Sequence, residues 1–261
     1  CGIRRMIMNK EIVNILNEVV AKSKFANTEK HFFNCVSHSM IMNAFIQFEE
    51  RKKFYLQDDY AFNHFMSEET ITMFNSYEFK KNNKFFKQFK SEIVKSAMIL
   101  SNCIENEPLT DIFKELFEVY YAQNDQTKFA KYIDSKLTKD LKVEYVSFNY
   151  DKNDFCNVEP TGGTGFLLYS LLNKISRKAG LEEIQKLNIT YLESDPFFAQ
   201  IFIAQTLTNM FNHNLDFKVL DIYIASKARY YDCGGYKEAG HVMIVNQNEF
   251  VAKRVLEIQN N

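Results

Sequence analysis

Val158-Glu-Pro-Thr-Gly-Gly-Thr-Gly-Phe-Leu-Leu168 decides how this chain is read. A short apolar stretch, Phe155 to Val158, runs into the glycines, and an amphipathic stretch from Phe166 to Lys178 leaves them. The latter carries Leu168, Leu171, Leu172 and Ile175 on one face and ends at Gly180. The spacing predicts a strand, a tight turn and a helix. Glycines at 162, 163 and 165 let the backbone approach a ligand closely, and a helix amino terminus offers unpaired N–H groups to it. Tight strand-to-helix turns also use glycine for purely structural reasons. Farther along, Asn188 to Leu192 reads as a second strand that ends in Glu193-Ser-Asp195-Pro196. A carboxylate at such a tip can accept two hydrogen bonds from a ribose, or it can cap the helix that Pro196 opens. Phe217 to Ile224 and His241 to Val245 are two further strand candidates. Strands alternating with helices imply a parallel sheet with right-handed crossovers.

The residues before this motif have another character. Of eight glycines, only Gly2 precedes Gly162, and Pro108 is the only proline before Pro160. A long stretch without turn residues suits helices joined by polar loops. Ile12, Ile15, Leu16, Val19 and Val20 recur at helical spacing, as do Ile112, Phe113, Leu116, Phe117 and Tyr120, the latter after a breaker and cap in Pro108 to Asp111. From Leu141 to Phe148 the pattern alternates with period two, as in a half-buried strand. The boundary therefore falls near residue 125, with a helical domain over 1–125 and an α/β domain over 126–261.

Glu-Pro-x-x-Gly-x-Gly followed by Glu-x-Asp-Pro resembles the S-adenosylmethionine-dependent adenine-N6 DNA methyltransferases, nearest to the modification subunits of type I restriction systems and plasmid-borne methylases. The resemblance implies a partial Rossmann-like sheet of strand order 3-2-1-4, with S-adenosylmethionine as cofactor. Glu159, Pro160, Thr161, Gly162, Gly163 and Gly165 would hold the methionine end, and Glu193 with Asp195 the ribose. Asp221 would face the adenine amino group, and Ile222 would pack on the ring. The catalytic Asn-Pro-Pro-aromatic motif has its counterpart in Asn246 and Phe250. Here Gln247-Asn248-Glu249 replaces the two prolines that would aim a carbonyl at the substrate amine. The family's Phe-Thr-Pro is also absent, its nearest counterpart being Phe129 to Lys131. These departures imply a methylase-like protein weak or inactive alone, or a non-catalytic relative that associates with DNA or with protein. In that strand order the His241 strand is an apolar edge, to be covered by the helices, a second copy or another subunit.

Composition sets outer bounds. With 32 Lys+Arg against 33 Asp+Glu among 261 residues, there is no global basic field, so contact with DNA needs a local patch. Phe79 to Lys90 supplies one candidate. Lys84, Lys87 and Lys90 could track phosphates, or they could be the solvated side of a helix whose Phe85, Phe89 and Ile93 face a core. Five cysteines without a C-x-x-C pair read as reduced thiols of a cytoplasmic protein, and neither they nor the five scattered histidines suggest a metal site. No apolar run approaches the roughly 18 residues of a membrane span.

Overall fold

In a computed structural model of the chain, the described residues are 2–55, 79–124, 163–193, 195–213, 215, 217, 219–224, 240–244 and 253–255. They are predominantly helical. Five helices come first: α1 (Gly2–Lys22), α2 (Thr28–Tyr55), α3 (Phe79–Gln88), α4 (Lys90–Asn106) and α5 (Ile112–Asn124). After the glycine turn come α6 (Phe166–Ala179), a short 3-10 helix (Leu181–Lys186), β1 (Asn188–Glu193), α7 (Pro196–His213), β2 (Val219–Ile224), β3 (Gly240–Ile244) and β4 (Lys253–Val255). The expected boundary near residue 125, the strand at Phe155 to Val158 and the stretch Leu141 to Phe148 all lie outside the described residues.

Helix α7 explains the packing. Phe197, Ile201, Phe202, Ile203, Leu207, Met210 and Phe211 are buried on every side of it. A helix apolar all round must be enclosed. It packs against α2 and α4 and also against β1 and β2, so it joins the helical layer to the sheet. Each large side chain buried there contributes about 1.5–3 kcal/mol. The neighbouring helices close the core with rings: Phe33 meets Phe117 edge-on at 4.9 Å, and Phe117 stacks with Phe197 at 6.4 Å.

The sheet differs from the one expected. β1 and β2 pair in parallel, Asn188 with Val219 through Glu193 with Ile224, with α7 as the crossover between them. β3 then pairs antiparallel with β2, Leu220 opposite Ile244 and Ile224 opposite Gly240, and β4 pairs antiparallel with β3. The order is β1-β2-β3-β4. In the expected 3-2-1-4 sheet, the strand at residues 219–224 is an edge and the His241 strand lies beyond the first strand. Here β2 has a neighbour on both sides, and β3 lies between β2 and β4. The partial Rossmann-like methyltransferase sheet is therefore not the fold, and the His241 strand is not an uncovered edge. The physical reason is the pairing itself: β3 lies against the strand just before it in the chain, as consecutive strands most often do, and is not carried past β2 and β1 to a distant place in the sheet.

Candidate functional site

The glycine turn is the centre of a buried polar joint. Gly163 (φ +64) and Gly165 (φ +94) both lie in the left-handed region that favours glycine. The Gly163 N–H donates to Glu193 Oε2 at 2.6 Å, and Tyr191 Oη donates to the Gly163 carbonyl at 2.6 Å. Glu193 Oε1 accepts the Asp195 N–H at 2.7 Å, and Asp195 Oδ1 caps α7 by accepting the Phe197 N–H at 2.9 Å. On the other flank, the Thr164 hydroxyl donates to Asp111 Oδ2. Asp111 Oδ1 caps α5 by accepting the Lys114 N–H at 3.0 Å.

Gln205, fully buried on α7, fastens the two flanks together. Its amide nitrogen donates to the Thr164 carbonyl at 3.0 Å and to Asp111 Oδ1 at 3.2 Å, and its oxygen accepts the N–H groups of Ile112 at 2.9 Å and Phe113 at 3.3 Å. One turn on, Asn209 Oδ1 accepts the Leu109 N–H at 2.8 Å. The first three amides of α5 are thus all bonded, as a buried helix start requires. Burial pushes the Asp111 carboxyl above the ordinary carboxylate range, against the Thr164, Lys114 and Gln205 hydrogen bonds and the Lys114 charge. Burial likewise raises Tyr169 and Tyr191 well above the usual phenol, Tyr191 also through the charges of Glu193 and Asp111.

These contacts place the residues expected to hold a cofactor. Gly163 spends its amide on Glu193, and Glu193, 9% exposed, divides its two oxygens between backbone N–H groups. A Cβ on Gly165 would lie 2.4 Å from Phe202 Cδ2, so that glycine admits α7. Asp195 is a helix cap. Asp221 stands in the middle of β2, paired with Thr190 and Met243, and Ile222 is core. Glu159, Pro160, Thr161, Gly162, Asn246 and Phe250 lie outside the described residues. The amide and the carboxylate that would meet S-adenosylmethionine are bonded to each other, so the joint does not fit that cofactor. The sequence reading gives Asp111 the role of a cap alone and gives Gln205 and Asn209 none. The signal for them was available: polar residues within an otherwise apolar helix must find buried partners.

Two other features remain. An open groove of about 780 Å³ lies between α5 and α6. Asp111, Glu115 and Glu118 line one wall, and Lys174, Arg177 and Lys178 line the other. Lys114 Nζ sits 3.7 Å over the Phe166 ring and 3.0 Å from Glu118. Opposed charges offset one another there, and no sign of ligand is selected.

The second is the lysine row. Lys84, Lys87 and Lys90 are exposed, whereas Phe85, Phe89 and Ile93 are buried, so the solvated side and the core side both form as the periodicity predicts. Some lysines pair with carboxylates, Lys95 with Glu11 at 2.8 Å, Lys186 with Glu183 at 2.5 Å and Lys22 with Glu18 at 3.7 Å, whereas the exposed Lys10 and Lys24 have no such partner among the described residues. Lys84, Lys87 and Lys90 have no such partner among the described residues. No set of three or more His, Cys, Asp and Glu could hold a metal ion among the described residues, and no described helix is long and apolar enough to cross a membrane.

No protein family, curated protein or solved structure matches this chain. Together with the strand order and the closed joint, this overturns the expected membership of the adenine methyltransferases. The enzyme class, S-adenosylmethionine as cofactor and the roles in DNA methylation and restriction-modification, for an active enzyme or an inactive relative, fall with it.

Proposed function

We propose that the chain binds DNA through its phosphates, with Lys84, Lys87 and Lys90 as the contacting side chains. One observation carries the reading: three exposed ammonium groups lie within seven residues with no carboxylate partner among the described residues, Lys84 and Lys87 on α3 and Lys90 at the start of α4, while Phe85 and Phe89 between them are buried. The buried Phe85 and Phe89 anchor this segment to the core, and a net charge of -1 leaves attraction of a polyanion to a local patch of this kind. The cytoplasm is the proposed site of action, in keeping with the buried thiols of Cys35 and Cys103.

The test is a salt titration of a fluorescein-labelled oligonucleotide. Three phosphate contacts give a slope of about −2 to −3 in log K against log salt, so affinity falls roughly 15- to 40-fold between 50 and 200 mM. Replacing the three lysines by Gln should flatten the slope and weaken binding about tenfold or more at 50 mM, with the melting temperature unchanged because the side chains are solvated. Absence of binding by the native chain, or a triple variant that binds as well, refutes the proposal.

A further inference from the structure

The aromatic residues around the lysine row are not alike. Phe85 is fully buried, meets Phe25 edge-on at 5.4 Å and stacks with His31 at 5.6 Å; Phe89 is 3% exposed and lies 4.9 Å from Phe85. Phe86 is half-buried on the flank of α3, packed against the core and without a ring partner among the described residues. It stands immediately before Lys87 on α3 and four residues before Lys90, which opens α4. Phe86 thus gives part of its surface to the core and stands, partly exposed and without a ring partner among the described residues, in the segment that carries the three exposed lysines.

We infer that Phe86 stacks on an unpaired base of a single strand whose phosphates Lys84, Lys87 and Lys90 follow. The inference rests on the DNA-binding reading above and narrows it to single-stranded nucleic acid. Positive charge beside an aromatic face is the chemistry of sequence-tolerant single-strand binding, because every base has a π face and every nucleotide a phosphate. In a duplex the base faces are already stacked on one another, so a half-buried ring on a helix flank finds nothing to stack on.

Three probes separate the contributions: a labelled twelve-nucleotide oligo-dT strand, the same length of abasic strand, and the dT·dA duplex. The native chain should bind oligo-dT about tenfold or more tighter than the abasic strand. Phe86→Leu, which keeps an apolar side chain against the core, should lose that margin on oligo-dT and change neither the abasic strand nor the duplex. Phe86→Tyr should restore it, which separates stacking from a folding defect. Equal affinity of the native chain for oligo-dT and abasic strand, or an oligo-dT affinity indifferent to Phe86→Leu, overturns the inference and leaves the lysine row standing. No binding to any of the three probes overturns the DNA-binding reading itself.

Discussion

Substituting Gly165 by alanine tests whether the glycine turn is a structural joint. A Cβ there would lie 2.4 Å from Phe202 Cδ2, 2.8 Å from Cε2 and 3.2 Å from Tyr169 Cε2. Phe202 cannot yield easily. It is fully buried and stacks on Tyr191 with ring centroids 3.8 Å apart and planes 9° apart, with Tyr169 on another side at 6.0 Å. Overpacking of this kind costs about 1–3 kcal/mol, and a non-glycine residue forced to φ +94 adds about 1–2 kcal/mol. The expected loss is about 2–5 kcal/mol, a large part of the roughly 5–15 kcal/mol that holds a protein folded. At about 2–4 °C per kcal/mol, the melting temperature should fall by around 5–15 °C. Gly163→Ala is the internal control. Its φ is +64 and its Cβ would meet nothing within 4 Å, so only the backbone term applies, about 1–2 kcal/mol. Thermal unfolding followed by circular dichroism reads both variants. A Gly165→Ala protein that melts with or above the Gly163→Ala protein would refute the packing argument.

The polar side of the joint carries two more predictions. Asp111→Asn keeps an oxygen for the Lys114 N–H and the Gln205 amide and removes the buried acid. Because the folded-state pKa of Asp111 is raised, the folded chain binds more protons than the unfolded one as pH climbs from the ordinary carboxylate range, so native stability falls across that window. The melting temperature of Asp111→Asn relative to the native chain should therefore increase between pH 4 and pH 7, and a difference that shrinks contradicts the assignment. Gln205→Leu leaves the amides of Ile112 and Phe113 and the Thr164 carbonyl without their buried partner, a loss of about 2–4 kcal/mol in urea unfolding. A loss below about 1 kcal/mol would mean that water replaces the side chain.

Local signals were legible and long-range ones were not. Pro196 opens α7, Gly180 (φ +93) stands at the end of α6, and α5 begins just after the cap at Asp111, all where breaker and cap residues put them. The strand order was misread because pairing depends on partners far apart in the chain. The fifteen residues 225–239 between β2 and β3 are long enough for either an antiparallel return or a crossover, so their length does not decide it. The glycine motif misled for a related reason. Spacing alone does not say whether a glycine amide meets a ligand or an internal acceptor, and here the acceptor is Glu193, thirty residues later. The polar run Gln205-Thr-Leu-Thr-Asn209 within the apolar α7 was the sequence mark of the joint itself.

Lysine footprinting tests most directly where nucleic acid meets this chain. The protein is acetylated briefly with and without saturating oligo-dT, and each lysine is quantified by mass spectrometry. Protection should concentrate at Lys84, Lys87 and Lys90, with Lys174 and Lys178 in the groove reacting equally in both samples. Protection of the groove lysines with none at Lys84, Lys87 and Lys90 would contradict the account.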